Sequence, residues 1–314
     1  MLFTSRDRFR ILFTTAFLRK NEYYWIRVLK SYLDNNKKLR LMFQWLLMYA
    51  LSRFTSVRRL MKRLSQRTQS QVNSKDKSHS SIFDDLNTDH VINLLKTEGF
   101  CLPFSLPDNI IKEVLSFARA SYLHGNGDSK VRFRYYERKY VESKQNRPFV
   151  ISNYEDASLC PAIKKIANDP KLLEIANKYL GAEPICKVNR LWWSFPVEAT
   201  PDELIKVGQV FHYDLDDYNA LNFFFYLTDV DSTSGPHVCI RGSHTNKKLS
   251  HQLALRRRRS DEEMIDYYGA ENIVPIYGKA GLGIVEDPFC FHKGSLPSSK
   301  ERLTLQITFT LNSY

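Results

Sequence analysis

The chain has 314 residues, of which 43% are hydrophobic and 13% aromatic, and its formal net charge is +12. This length can hold one large domain with an extension, and the apolar share is sufficient for a substantial core. The five cysteines are scattered, odd in number and free of any C-x-x-C pair. That pattern argues against a disulfide framework and a zinc knuckle, and it predicts a reducing, cytoplasmic compartment.

The basic excess lies entirely at the N-terminus. Residues 1–70 hold 16 Lys and Arg against Asp7, Glu22 and Asp34, which gives +13 and leaves −1 for the remainder. Because the rest of the chain is close to neutral, its composition is not that of a nucleic-acid-binding domain, and we expect no nucleic-acid partner.

Apolar and basic patches alternate within this N-terminal segment. Phe9–Phe13 and Tyr24–Leu33 have helical patterns, and Leu41–Leu51 is the most apolar run. Arg40 and Arg53 bound that run, so it is too short to span a bilayer. Three hypotheses stand: a helical subdomain that packs on the rest of the chain or on a partner subunit, basic helices in peripheral contact with an anionic membrane, or nucleic-acid binding.

A polar stretch separates this segment from the rest. Ser65–Ser81 is rich in Ser, Gln and Lys and has almost no apolar residue, as in a flexible linker. We therefore predict a basic helical segment over residues 1–70, a linker over 71–81 and a single domain over 82–314.

Helical patterns precede strands in that domain. Pro107–Ala118 has helical spacing, and Ile163–Ala167 and Leu172–Leu180 form a helical pair that Gly181 ends. Short strands with Gly and Pro turns begin at Ile185–Phe195, as in a jelly roll. The polar residues on this strand either face a ligand or lie at a sheet edge; they are Lys187, Asn189 and Arg190.

His212-Tyr213-Asp214 is the most informative motif. Two residues apart on an extended strand, side chains point to the same face, so His212 and Asp214 can reach one point while Tyr213 points away. His292, 80 residues further on, would complete a set of two histidines and one carboxylate. Such a facial triad binds Fe(II) in non-haem oxygenases and leaves positions open for oxygen and a co-substrate.

Arg302 opens a strongly alternating strand. Its apolar face would carry Leu303 to Leu311 at every second position, and its polar face begins with Arg302 and Thr304. The polar face lies either in water or along an internal cavity. In the second case the planar guanidinium would suit a carboxylate.

An insertion interrupts the strands between Lys247 and Asn272. It contains the run Arg256–Arg259, which is either an anion site near a cavity mouth or a solvated loop. Ser260 followed by Glu263 predicts a helix capping box.

Two stretches resemble a known family. Leu221–His244 reads LNFFFYLTDVDSTSGPHVCIRGSH, and Gly278–Leu311 reads GKAGLGIVEDPFCFHKGSLPSSKERLTLQITFTL. Both resemble phytanoyl-CoA dioxygenase-like proteins, and the resemblance begins near Phe83. Two residues depart from the family pattern: His237 replaces a commoner apolar residue, and Arg241 a commoner proline.

The resemblance implies a mainly β fold, a double-stranded β-helix (jelly roll, cupin-like) with flanking helices. It implies an Fe(II)- and 2-oxoglutarate-dependent dioxygenase in which His212, Asp214 and His292 are the metal ligands and catalytic residues. Arg302 would bind the distal carboxylate of 2-oxoglutarate. The implied reaction consumes O2, hydroxylates a C–H bond of a small-molecule or lipid-like substrate, and releases succinate and CO2.

Two other classes of protein remain as alternatives. One is a catalytically inactive cupin-like binding protein, and the other is a membrane-associated scaffold that works through residues 1–70. Metal content and succinate release distinguish the enzyme from both.

Overall fold

The computed structural model describes residues 37–68, 80–83, 86–254 and 256–313. The chain forms two compact units, one of Met1–Met48 with Tyr314 and one of Tyr49–Ser313. The predicted helices at 9–13 and 24–33, and residues 71–79 of the predicted linker, lie outside the described residues. None of the helices among the described residues is long and apolar enough to cross a membrane.

Ten α-helices occur in the described part of the chain. They are α1 (Lys37–Leu51), α2 (Thr55–Thr68), α3 (Thr88–Thr97), α4 (Asp108–Ala120), α5 (Arg138–Gln145), α6 (Pro161–Ala167), α7 (Pro170–Leu180), α8 (Pro201–Lys206), α9 (Leu249–Leu253) and α10 (Asp261–Tyr268). Short 3-10 turns at Tyr135–Glu137, Ala157–Leu159 and Ala270–Asn272 link some of them to neighbouring elements.

Eleven strands alternate with these helices. They are β1 (Phe100–Ser105), β2 (Tyr122–Gly125), β3 (Arg132–Arg134), β4 (Ile151–Tyr154), β5 (Ile185–Ser194), β6 (Ala220–Tyr226), β7 (His237–Ile240), β8 (Ile273–Ile276), β9 (Leu282–Glu286), β10 (His292–Gly294) and β11 (Arg302–Thr310). All the described pairings are antiparallel.

The strands form two sheets. The major sheet has the order β1-β9-β6-β11-β5-β4-β2-β3, and the minor sheet has the order β10-β7-β8. An apolar cluster between them contains Phe224, Tyr226, Cys239 and Ile284. A larger core joins the other face of the major sheet to the helices, through residues such as Leu305. This is the predicted jelly roll with flanking helices, and the fold prediction is confirmed.

Strand β11 lies at the centre of the major sheet because β5 and β6 pair with its two edges. Leu303, Leu305, Ile307 and Phe309 enter the larger core, as the alternating pattern predicts. All nine residues of β11 are buried, so its polar face does not lie in water. The cavity alternative is the one that the structure supports.

Several local predictions are also confirmed. Helix α4 begins at Asp108, helix α7 ends before Gly181 in a left-handed conformation (φ 83°), and β5 begins at Ile185. The expectation that helices precede strands was incomplete, because β1 to β4 lie among the first helices. Strands of three or four residues, such as β3, are too short to give an alternating pattern.

Helix α2 belongs to the unit of residues 49–313. Arg58 on this helix forms a buried ion pair with Asp287 (3.0 Å), and its backbone carbonyl faces the side-chain amide of Asn219 at 3.5 Å. Gln252 accepts a hydrogen bond from the backbone N–H of Thr55 (3.2 Å). A domain boundary at residue 70 stays a prediction, and α2, which precedes it, packs with Asn219, Gln252 and Asp287 of the predicted domain over 82–314.

Candidate active site

His212, Asp214 and His292 lie together, although His292 is 80 residues from His212. Asp214 Oδ1 is 3.9 Å from His212 Nε2, and Asp214 Oδ2 is 3.6 Å from His292 Nε2. One ligand atom from each residue lies within 4.8 Å of the other two. The donor set of two imidazoles and one carboxylate on one side of a point is the facial arrangement suited to Fe(II).

Backbone pairing holds the three residues in place. His212 and His292 exchange two hydrogen bonds (3.0 and 2.8 Å), and the N–H of Asp214 donates to the carbonyl of Pro288 (2.8 Å). Residues 212–214 form only an isolated bridge, so the expectation of a regular strand there was wrong. The alternation still holds, because Tyr213 points away and packs against Phe289 and Phe291.

Both imidazole rings are oriented by carbonyl groups. His212 Nδ1 donates to the carbonyl of Val210 (2.9 Å), and His292 Nδ1 donates to that of Cys290 (3.0 Å). The Nε2 atom of each ring therefore faces Asp214 and is the available metal donor. Carbonyl partners of this kind fix the tautomer and the ring plane of metal-binding histidines.

The charges of the three residues are interdependent. Burial and the neighbouring His292 lower the pKa of His212 to about 4, so His212 is neutral near pH 7. Burial alone would lower the pKa of His292, but Glu286 and Asp214 raise it to about 9. Burial alone would raise the pKa of Asp214, but the hydrogen bond from His292 and the adjacent charges hold it below its usual value. A divalent cation would displace the proton of His292, because a histidine ligand must be neutral.

The triad opens into a cavity of about 350 Å³. Arg302 also lines this cavity and is only 3% exposed. Its Nη2 approaches Ser194 Oγ at 3.5 Å, whereas its Nε and Nη1 have no hydrogen-bond partner among the described residues. Buried polar groups are nearly always hydrogen-bonded, so these two donors point to a bound acceptor.

Other buried polar groups in the cavity share this property. The two polar side-chain atoms of Gln209, Nε2 and Oε1, and the hydroxyl of Thr304 have no hydrogen-bond partner in the described part of the chain. Gly294 lies so close to Arg302 that an added Cβ would stand 3.1 Å from Nη2. A dicarboxylate such as 2-oxoglutarate fits this donor set, since Arg302 can form a fork of two hydrogen bonds to one planar carboxylate group.

The sequence reasoning missed a second polar cluster next to His292. Glu286 is fully buried and accepts hydrogen bonds from His237 Nε2 (2.8 Å) and Cys239 Sγ (3.0 Å). Its other oxygen is 3.5 Å from His292 Nδ1. Two signals were present, the departure at His237 and an acidic residue at the end of an apolar strand. Both hydrogen bonds end on Glu286 Oε2, and Oε1 has no hydrogen-bond partner among the described residues. We interpret the cluster as a support that acts on His292 through the charge of Glu286.

The remaining candidates divide into two groups. Arg190, Arg257 and Arg258 line the cavity, and Arg257 Nη1 is 3.7 Å from Asp214 Oδ1. Part of the arginine run is therefore near the site. Ser260 accepts from the N–H of Glu263 at the start of α10, but the reciprocal bond of the predicted capping box is absent, and the Glu263 carboxylate contacts His251 instead. Two polar residues of β5 make other contacts: Lys187 donates to the carbonyl of Asp216, and Asn189 accepts from Cys186.

A scan against protein-family models matches residues 132–302 to the model described as Phytanoyl-CoA dioxygenase (PhyH). The match covers more than half of the chain. The chain belongs to the phytanoyl-CoA dioxygenase family. As a member, it is a non-haem Fe(II)- and 2-oxoglutarate-dependent oxygenase, and its cofactors are Fe(II), 2-oxoglutarate and O2. The family and enzyme-class predictions are confirmed.

Several solved structures are similar to the chain at low sequence identity. HygX from Streptomyces hygroscopicus, with nickel and 2-oxoglutarate bound, has a TM-score of 0.50 and 13% identity over 72% of this chain and 87% of that chain. The epimerase SnoN, in complex with Fe3+, alpha ketoglutarate and nogalamycin RO, has a TM-score of 0.48 and 15% identity over 71% and 83%. AviO1 from Streptomyces viridochromogenes Tue57 has a TM-score of 0.47 and 15% identity over 73% and 96%. No curated protein sequence matches the chain.

Proposed function

We propose that this family member hydroxylates a C–H bond of a small molecule, with His212, Asp214 and His292 as the Fe(II) ligands and Arg302 as the 2-oxoglutarate anchor. The observation that carries the proposal is one cavity that joins the three converging donors to a buried arginine with two unpartnered N–H groups. A buried charge without a counter-charge is costly, so Arg302 needs an anionic partner.

Each residue has a separate task in the proposed reaction. When bound, Fe(II) with 2-oxoglutarate and O2 supplies the oxidising chemistry that converts a C–H bond to C–OH with release of succinate and CO2. His212, Asp214 and His292 hold the cation on one side and leave the cavity side open. Arg302 orients the co-substrate through its distal carboxylate, and Gln209 and Thr304 offer further hydrogen bonds beside it.

The cavity limits the substrate to a small molecule or to one end of a longer, lipid-like molecule. Its volume of about 350 Å³ is at the lower end of the range for small-molecule sites, roughly 300–1,000 Å³. Apolar and aromatic side chains share the wall with the polar ones; they include Ile151, Val188, Trp192 and Phe224. Such a mixture suits a substrate with both an apolar and a polar part.

The direct test is metal binding and succinate formation by matched variants. Asp214→Ala is expected to lose stoichiometric Fe(II), and Asp216→Ala, which alters another carboxylate of the same cavity, is expected to retain it. Metal content after anaerobic loading and succinate formed in the presence of cell extract are the two measurements. Full iron content in His292→Ala would point to another histidine, such as His237, as the third ligand.

The same experiment separates the enzyme from an inactive binding protein. A binding protein would take up Fe(II) and 2-oxoglutarate but release no succinate with any extract. A scaffold that works through residues 1–70 would instead bind anionic vesicles, and its binding would not depend on Asp214.

A further inference from the structure

Cationic side chains surround the outer part of the cavity. Arg190, Lys206 and Arg258 line it and are exposed, whereas Arg302 and His292 lie at its buried end. The three exposed cations come from β5, from the end of α8 and from the loop before α10, which are distant in sequence. We call these three residues the basic rim.

No residue of the basic rim has a carboxylate partner among the described residues. Arg258 donates from Nε to the carbonyl of Ile205 (3.0 Å), which fixes its stem beside Lys206 and leaves its two terminal nitrogens available. In the described part of the chain, the guanidinium of Arg190 contacts the amide oxygen of Asn153 (3.3 Å) and the ring of Trp192 (5.6 Å to the centroid). A cleft lined by charges of one sign concentrates the electrostatic potential, so three cations without an acid around a single cavity favour an anionic ligand.

The acidic groups that face the cavity do not neutralise the rim. Asp214 belongs to the metal triad and has Arg257 beside it (3.7 Å). Asp216 is the other carboxylate that lines the cavity. A dication and dianionic 2-oxoglutarate cancel each other, and the two arginines Arg257 and Arg302 together offset the two acids Asp214 and Asp216. The rim therefore keeps an excess of positive charge with the metal and co-substrate in place.

We propose that the basic rim binds an oxyanion group of the substrate, a phosphate, sulfate or carboxylate, while the C–H bond to be oxidised lies deeper, near the triad. This inference rests on the proposed function, because it takes the triad as the reacting centre. A cationic substrate is disfavoured by the same charges, since it would approach three positive groups in a partly enclosed, low-dielectric space.

The test uses four probes with the same six-carbon chain: hexyl phosphate, hexyl sulfate, hexanoate and hexylammonium. Binding is measured by calorimetry to the full chain loaded with Ni(II) and saturating 2-oxoglutarate, so that Arg302 is already occupied. We expect the three anions to bind and hexylammonium not to bind. The order of affinity among the anions identifies the preferred oxyanion. Affinity should fall as ionic strength rises, because exposed charges are screened by salt.

Matched variants assign the effect to the rim. Arg258→Gln is expected to lower the affinity for the preferred anion roughly two- to fivefold, as is usual for one exposed charge pair. The triple variant Arg190→Gln, Lys206→Gln, Arg258→Gln should weaken it roughly tenfold or more. Arg256→Gln is the control, because Arg256 is an exposed arginine of the same run that does not line the cavity.

Three outcomes would overturn the inference: hexylammonium binding as well as the anions, equal losses in Arg256→Gln and Arg258→Gln, or no binding of any anion to a chain that binds Ni(II) and 2-oxoglutarate. If the triple variant fails to fold, the two single arginine variants still decide. Failure of the proposed function looks different, because the unaltered chain would then bind no metal or no 2-oxoglutarate.

Discussion

Removal of Arg58 is expected to destabilise the oxygenase unit strongly. The Arg58 and Asp287 side chains are 7% and 8% exposed, and Arg58 Nη2 is 3.0 Å from Asp287 Oδ1. The guanidinium also stacks over Phe289, 4.2 Å from the ring centroid. In Arg58→Met, Asp287 would keep hydrogen bonds from Tyr179 and from the N–H of Phe289 but would lose its counter-charge.

The expected loss follows from the burial of the pair. Breaking a buried ion pair by removing one partner costs about 3–5 kcal/mol, because the remaining charge is uncompensated. The lost cation–π contact adds up to roughly 1–2 kcal/mol. Since the free energy of unfolding of a protein domain is about 5–15 kcal/mol, Arg58→Met should remove a large part of the stability.

The assay is urea unfolding of the full chain, with Arg59→Met as the control. Arg59 is exposed on the same helix, so its replacement should change the free energy of unfolding by less than about 0.5 kcal/mol. The double variant Arg58→Met, Asp287→Asn should lose less stability than the two single variants lose together, because it leaves no unpaired charge.

Low pH provides an independent reading of the same pair. Burial alone would raise the pKa of Asp287, but Arg58 and the hydrogen bonds to the carboxylate lower it below the usual 3.8. A carboxyl whose pKa is lower in the folded state adds stability that is present above pH 3.8 and lost as pH falls through the folded value. This acid-dependent part should be absent in Asp287→Asn. If Arg58→Met lowers the free energy of unfolding no more than Arg59→Met does, the reasoning is refuted.

Three further outcomes are expected. Arg302→Leu should lower the affinity for 2-oxoglutarate, measured by calorimetry, roughly a hundredfold or more and leave metal binding intact. Arg302→Lys should give an intermediate affinity. A lower melting temperature with unchanged affinity would make Arg302 a structural residue instead. His292→Ala should lose stoichiometric iron, measured by metal analysis, because a facial triad offers three protein contacts. A chain that starts at Ser81 lacks Arg58, so the midpoint of its urea unfolding transition should be lower. An unchanged midpoint would favour a separate surface-binding segment.

Some features of the site could be predicted because they depend on neighbouring residues. The two-residue spacing of His212 and Asp214 places both side chains on one side wherever the backbone is extended, and this holds at an isolated bridge as well as in a strand. The alternation in β11 likewise identifies which side chains share a face. Neither pattern says what a face contacts. For β11, that depends on pairing with β5 and β6, whose residues lie tens of positions away.

The cluster around Glu286 shows where local reasoning ends. His237 and Cys239 alternate on β7 and so share a face, but Glu286 is 49 residues from His237 and belongs to the other sheet. An acid at the end of an apolar strand has no visible partner in the sequence. Only the apposition of the two sheets supplies the imidazole and thiol that donate to one of its oxygens, because a buried carboxylate requires such donors.

Net charge was the least reliable guide to the N-terminal segment. The +13 of residues 1–70 describes a sum, and a sum does not distinguish a solvated lysine from a buried arginine. Arg58 contributes to that total, yet it is 6% exposed and pairs with an acid 229 positions away. Asp287 in turn precedes Pro288, whose carbonyl accepts from Asp214, so this contact leads directly to the triad. At least one charge of the basic segment therefore supports the loop that holds the site, and deletion experiments on residues 1–70 must separate this role from membrane binding.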